Sequence, residues 1–139
     1  MPCYAVIDTN VIVSSLLAKN YDSATVQIIR AVFEGMIIPL YNDEILAEYD
    51  EVLHRDKFHL NDETIRNFLE AIKACGLEIM PVVTGKILPD MDDLIFYETA
   101  SAQENTYLVT GNMKHFPDVD FTVSPSEMMR IINNDTSAQ

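Results

Sequence analysis

The stretch Tyr4-Ala5-Val6-Ile7-Asp8-Thr9-Asn10-Val11 joins two apolar runs through one carboxylate and two small polar residues. The first run, from Cys3 to Ile7, is short and bounded by polar residues, so it predicts a buried strand. Asp8 would follow the carboxyl end of that strand, where open parallel sheets bind their ligands. A helix N-cap is a competing interpretation, because Asp, Thr and Asn are all preferred there. The stretch by itself therefore predicts either a site or a cap.

Two later stretches would meet Asp8 at the same edge of a parallel sheet. They are Pro89-Asp90-Met91-Asp92-Asp93 and Leu108-Val109-Thr110-Gly111-Asn112. Asp90 can cap a helix, and Asp93 three residues later resembles the acid of a capping box. The run still supplies more carboxylates than a cap needs. Convergence of the three stretches therefore favours a chemical site.

The composition indicates one globular domain and few other possibilities. The chain has 139 residues, 48% of them hydrophobic, and a net charge of −13. No apolar run approaches the roughly 18 residues of a membrane span, so no such span is predicted. No basic region precedes the first apolar run, so a secretory signal is not predicted either. The two cysteines predict free thiols and a cytoplasmic location. The negative charge argues against tight, non-specific binding of nucleic acid but not against catalysis on it.

Predicted strands and helices alternate along the whole chain, which is typical of a mostly parallel sheet. We therefore predict a three-layer α/β/α fold with five strands, in one domain over residues 1–132. The polar tail over residues 133–139 is predicted to be disordered. The predicted strands are Cys3–Ile7, Met36–Leu40, one within Leu77–Val83 that is broken by Pro81, Thr106–Thr110 and Phe121–Val123. A helix is predicted from Asp90 to about Ala102, and the last helix follows a cap at Ser124.

The helix predicted after Asn42 or Asp43 carries several acids, and its geometry does not single out one of them. Glu48 and Asp50 lie at the two edges of the apolar stripe, about equally far from its centre. Glu44 and Glu51 lie further round the helix. An ordinary solvated acidic face is the competing interpretation.

A cluster of carboxylates at one edge of the sheet would need a cation or protons. At about 5 Å and an effective dielectric of about 20, each pair of charges repels by roughly 3 kcal/mol. Oxygen ligands without His or Cys select Mg²⁺ or Mn²⁺ rather than zinc. Such a site suits metal-assisted attack of water on a phosphodiester.

These motifs, in this order, resemble those of PIN-domain ribonucleases, in particular the VapC-like toxins of toxin–antitoxin systems. The resemblance covers nearly the whole chain. It rests on Val6-Ile7-Asp8-Thr9-Asn10-Val11, on Glu48, on Asp90-Met91-Asp92-Asp93 before a helix with Ala100, and on Leu108-Val109-Thr110-Gly111-Asn112. The longer stretch from Thr110 to Pro117 is similar to one found in a subset of the family.

The resemblance implies a Mg²⁺- or Mn²⁺-dependent endoribonuclease whose three metal-binding acids are Asp8, Glu48 and Asp93. Asp92 remains an alternative to Asp93 as the third acid. Asn112 takes the place of the fourth acid of many relatives, which leaves open whether one or two ions bind. Thr9, Asn10 and Thr110 would hydrogen-bond the acids or the substrate phosphate. The resemblance also implies an RNA substrate, a homodimer and a cognate antitoxin, which should present basic residues to the acidic cleft.

Two other functions fit part of the sequence. Haloacid dehalogenase-type phosphotransferases also begin with a strand that ends in Asp, but they need a second Asp where this chain has Asn10. Their paired acids follow the Thr motif, whereas Asp92 and Asp93 precede it. The second alternative is a PIN-like domain with a weakened site that binds RNA or protein without cutting, which the charge and Asn112 favour.

Overall fold

The computed structural model describes residues 2–137, in which five strands alternate with helices. The strands are β1 (Cys3–Ile7), β2 (Ile37–Tyr41), β3 (Leu77–Glu78), β4 (Thr106–Val109) and β5 (Thr122–Val123). The helices are α1 (Thr9–Leu17), α2 (Ala24–Phe33), α3 (Asp43–Leu53), α4 (Asp62–Cys75), α5 (Leu94–Ser101) and α6 (Pro125–Ser137). Short 3-10 turns cover Asp56–Phe58, Met91–Asp93 and Met113–His115.

The five strands form one parallel sheet in the order β3-β2-β1-β4-β5. β1 lies at the centre, and Ala5, Val6 and Ile7 are almost completely buried. A strand that is apolar on both faces needs helices on both faces of the sheet, which explains why the sequence shows continuous apolar runs. The predicted three-layer α/β/α fold is confirmed.

Helix α3 is fixed over the carboxyl end of β1 by one buried aromatic residue. The Tyr49 hydroxyl donates a hydrogen bond to the Ile7 carbonyl oxygen at 2.6 Å. The Tyr49 ring stacks on Phe96 of α5, with the ring centroids 6.2 Å apart. Both rings are buried. These contacts place the acidic face of α3 next to the strand end that Asp8 follows.

The segment between β3 and α5 differs from its prediction in two ways. β3 ends at Glu78, well before Pro81, and α5 begins at Leu94 after the turn Met91–Asp93 rather than at Asp90. The segment is tied to α5 instead of to the sheet: Val82 N donates to the Glu98 carbonyl oxygen at 3.3 Å. Thr84 N and Thr84 Oγ1 both donate to the Glu98 carboxylate, at 2.7 and 2.9 Å. Hydrogen bonds to Glu98 therefore take the place of the backbone hydrogen bonds that a longer β3 would make to its neighbour.

The end of the chain forms a longer helix than the sequence predicts. The Ser124 cap is present, because Glu127 N donates to Ser124 Oγ at 3.1 Å. α6 then continues to Ser137, and residues 138 and 139 of the predicted tail lie outside the described residues. Over residues 2–137, no helix has both the length and the apolar character that crossing a membrane requires. Cys3 and Cys75 are both partly buried and are not joined to each other by a disulfide.

Candidate active site

The pairing of β1 with β4 brings Asp8 and Thr110 to the same edge of the sheet. The register pairs Ile7 with Val109, so the next residue of each strand follows at the carboxyl end. Asp8 N donates to the Val109 carbonyl oxygen at 2.9 Å, which extends the ladder by one step. Two residues that are distant in sequence therefore become neighbours through strand register alone.

The Asp8 carboxylate is buried, with 4% of the residue exposed. Its Oδ2 accepts hydrogen bonds from Thr110 Oγ1 at 2.8 Å and from Asn10 Nδ2 at 3.1 Å. Asp8 stands at the N-cap of α1, but its side chain makes no capping hydrogen bond. Burial raises the pKa of Asp8, and the hydrogen bond from Thr110 lowers it in part. The capping interpretation therefore does not account for this side chain.

Asn10 and Thr110 hold Asp8 and the loop that follows β4 in one network. Asn10 Oδ1 accepts from Gly111 N at 2.9 Å, and Thr110 Oγ1 accepts from Asn112 N at 3.0 Å. A Cβ at Gly111 would lie 3.2 Å from Asn10 Oδ1, so a side chain there would press on the network. Thr110 is fully buried. In this arrangement Thr110 orients the acid, and only a movement of the loop would let it reach a substrate.

Asp93 lies beside Asp8 and is also buried, with 9% of the residue exposed. Its Oδ2 is 3.2 Å from His115 Nδ1, yet it accepts no hydrogen bond of good geometry within the described part of the chain. Burial and, second to it, the charge of Asp8 raise the pKa of Asp93 to about 6, although His115 opposes the shift. The predicted cap is made by Asp90 alone, whose carboxylate accepts from Asp92 N at 3.0 Å. The Asp93 carboxylate is therefore not used as a helix cap and can bind a ligand at the site.

Glu48 and Asp50, which the helical wheel could not separate, point to different surroundings. Glu48 is half-buried and lines a cleft of about 620 Å³ together with Asp92. Burial raises its pKa first, followed by the charges of Glu51, Asp92 and Asp8. The exposed Asp50 lies 3.3 Å from His54 Nδ1. The structure thus directs Glu48, and not Asp50, toward the electrostatic field of Asp8.

Thr9 and Asn112 complete the set of residues singled out from the sequence. Thr9 is buried, and its Oγ1 has no hydrogen-bond partner among residues 2–134, whose side chains the structure describes. Asn112 is half-buried and immediately precedes the turn Met113–His115. Its backbone belongs to the network around Thr110, so it lies at the same edge of the sheet as Asp8.

The donor atoms at this edge suit a hard divalent cation. Asp8, Glu48, Asp92 and Asp93 offer only oxygen, and the buried Oδ2 of Asp93 lacks a hydrogen bond from the described residues. As the side chains are placed here, no three His, Cys, Asp or Glu residues within 2–134 are close enough to hold one ion together. Mg²⁺ usually keeps several waters and needs only one or two carboxylates directly. The paired acids therefore fit Mg²⁺ or Mn²⁺, with Glu48 at longer range.

His115 is a site neighbour to which the sequence analysis gives no role. It lies in the stretch from Thr110 to Pro117, close after the carboxyl end of β4. The sequence feature that could have indicated a role was a histidine shortly after β4, the strand that pairs with β1 next to Asp8. The sequence could not indicate the partner of His115, because the turn Met113–His115 brings the ring to Asp93 only in the folded chain.

Comparison with known proteins gives one finding. A family model described as the PIN domain matches residues 4–114, which is most of the chain. The matched range contains Asp8, Glu48, Asp93 and Asn112. No curated protein and no solved structure matches the chain.

Proposed function

The chain belongs to the PIN-domain family, and from this premise we propose that it is a Mg²⁺- or Mn²⁺-dependent endoribonuclease of the VapC-like group. The family has a nuclease-type fold. One observation carries the proposal: Asp8 and Asp93 are neighbouring, buried carboxylates with raised pKa values at the carboxyl edge of the sheet. Paired acids with perturbed pKa values in such a position mark functional sites. The proposed nuclease domain covers residues 1–132.

Asp8, Glu48 and Asp93 are the residues that would hold the metal ion. When bound, the ion offsets the charge of a phosphodiester and lowers the pKa of a water molecule that attacks phosphorus. Thr110 and Asn10 keep the Asp8 carboxylate in one orientation through the hydrogen bonds at 2.8 and 3.1 Å. Burial excludes water from Asp8, which strengthens its interaction with any cation. Asn112 adds a neutral amide where a fourth carboxylate would add charge.

Hydrolysis by water predicts the chemical nature of the products. We expect cleavage of single-stranded or looped RNA in Mn²⁺ to leave 5′-phosphate and 3′-hydroxyl ends, because water attacks phosphorus and the 3′ oxygen leaves. The measurement is gel analysis of end-labelled RNA with and without chelator, followed by phosphatase and ligase tests of the ends. Products with 2′,3′-cyclic phosphate would contradict the mechanism. RNA that is bound but not cut would favour the non-cleaving module instead.

The surface around the acidic cleft supports a basic protein partner, as an antitoxin would be. We define the strap as residues 79–91, which form one wall of the cleft. The strap exposes large apolar side chains, among them Met80 at 77%, Val83 at 97% and Ile87 at 78% exposure. Apolar patches beside clustered charge are typical of protein interfaces. A salt-sensitive complex with a small basic protein from a neighbouring gene is the expected result, and a neutral or acidic product of that gene would oppose it.

We also propose a cytoplasmic homodimer. Besides the strap, α1 and α2 form an apolar groove with Leu16, Ile29 and Phe33, the last of which is 48% exposed. Covering such a groove with a second copy would remove apolar surface from water. Light scattering at micromolar concentration should give twice the chain mass, and a monomer mass would reject the dimer.

A further inference from the structure

His115 occupies a fixed place between Asp93 and the solvent. Its Nδ1 lies 3.2 Å from Asp93 Oδ2, while 40% of the side chain remains exposed. His115 N donates to the Asn112 carbonyl oxygen at 3.1 Å within the turn. The next residue, Phe116, is buried in the core. The turn Met113–His115 and the buried Phe116 side chain together hold the His115 imidazole beside Asp93.

A purely structural role would use only one side of this ring. The imidazole would stabilise a buried carboxylate oxygen that otherwise has no hydrogen bond from the described residues. The other ring nitrogen, Nε2, lies on the opposite side of the imidazole and so faces away from Asp93. Among the side chains that the structure describes, over residues 2–134, none makes a hydrogen bond to that nitrogen. The ring is half-exposed, with Nδ1 beside Asp93 and Nε2 available to a ligand, so it is suited to bridging the acid and that ligand.

The charge at this edge makes such a bridge useful for an RNA substrate. Asp8, Asp93, Asp92 and Glu48 all contribute negative charge, and the whole chain carries −13. A phosphodiester brings one more negative charge into that field. Within the described chain, His115 is the basic side chain that lies in ion-pair distance of one of the two buried acids. Its neighbour Lys114 is exposed and makes no ion pair with them.

We propose that His115 is a substrate-contacting residue whose Nε2 donates a hydrogen bond to a phosphate oxygen of the RNA backbone. The inference rests on the proposed function, because it takes RNA as the substrate. Nδ1 faces Asp93 and Nε2 lies on the other side of the ring, so one imidazole can bridge Asp93 and a phosphate. Asp93 fixes the orientation of the ring, as carboxylates do for histidines in metal sites. No proton is transferred in this contact, and substrate binding is the step it serves.

The test compares single-turnover and steady-state cleavage of one single-stranded RNA oligonucleotide by four proteins in Mn²⁺. His115→Gln should raise KM about tenfold and change kcat less than about threefold, since a hydrogen bond to substrate is lost. His115→Lys keeps a nitrogen donor there and should hold KM within about threefold of the wild type. Lys114→Gln is the matched control, because it removes one positive charge from the adjacent residue. Its KM should change less than about twofold.

Melting with and without Mn²⁺ supplies the readout that does not depend on activity. The metal-induced rise should be equal in the wild type, His115→Gln and Lys114→Gln, because the proposed contact is to the RNA. A His115→Gln protein with unchanged KM would overturn the proposal. If that protein instead shows only a lower kcat and a smaller metal-induced rise in melting temperature, His115 acts through Asp93, and the proposal is overturned as well. An equal KM rise in Lys114→Gln would reduce it to general charge steering and also overturn it. His115→Asn serves the same comparison if the Gln variant does not fold. A wild type that cuts no RNA counts against the proposed function itself.

Discussion

Asp8→Asn is expected to lower Mn²⁺-dependent RNA cleavage by at least about 100-fold. Changes to residues that merely support metal ligands cost about 10- to 100-fold, so the loss of a direct ligand should cost more. The amide is neutral, and its one oxygen can accept the hydrogen bonds that Thr110 and Asn10 now donate to Asp8 Oδ2, which leaves an NH₂ group where the second carboxylate oxygen was. Cleavage rate at fixed Mn²⁺ measures the first effect.

The same variant should lose most of its stabilisation by metal. A ligand at about a hundred times its dissociation constant adds roughly 2.7 kcal/mol to the free energy of unfolding. Mn²⁺ should therefore raise the melting temperature of the wild type by several degrees and that of Asp8→Asn much less. Asp50→Asn is the matched control, because it makes the same chemical change at an exposed position beside His54. An equal metal-induced rise in Asp8→Asn and the wild type would remove Asp8 from the site.

Asp93→Asn is expected to stabilise the protein in chelator at alkaline pH. The pKa of Asp93 is about 6 in the folded state, above its ordinary value of 3.8, because burial and the Asp8 charge disfavour ionisation. The stability that the protonated form contributes is fully present below pH 3.8 and is lost as the pH rises through 6. The loss amounts to about 3 kcal/mol, and Asn avoids it because it does not ionise. The variant should thus melt with the wild type near pH 4 and several degrees above it near pH 8.

Adding Mn²⁺ near pH 8 should reverse that order, because only the wild type has the full set of carboxylates. Thermal melts across the pH range in chelator, with one further series in Mn²⁺, test both parts. Asp92→Asn is the control, since it removes an exposed carboxylate from the same turn. Parallel pH curves for wild type and Asp93→Asn would show that ionisation of Asp93 costs the fold nothing. If Asp92→Asn loses the metal response while Asp93→Asn keeps it, Asp92 is the third ligand.

The sequence predicts local structure well wherever burial alone decides it. β1 has its predicted bounds, from Cys3 to Ile7, because a short apolar run between polar residues can be buried in only one way. Caps at Asn42 and Ser124 are found where their side chains suggest them. The errors fall where tertiary contacts compete with local preference. Ile79 makes the last hydrogen bond of the strap to β2, and Val82 and Thr84 bond to Glu98 of α5 instead, an attachment that no local pattern indicates.

The sequence by itself determined the family, the parallel sheet and the three stretches that meet at its carboxyl edge. Helix geometry left Glu48 and Asp50 equivalent, and the family resemblance selected Glu48. Only the tertiary structure gave the two acids different surroundings, turned Thr110 toward Asp8 and brought His115 to Asp93. The reason is that hydrophobic periodicity acts between residues a few positions apart, whereas Asp8 and Thr110 are 102 positions apart. Their contact depends on the register between β1 and β4, and the direction of Glu48 depends on how Tyr49 fixes α3 over β1. Such relations arise from packing and have no counterpart in the local sequence pattern.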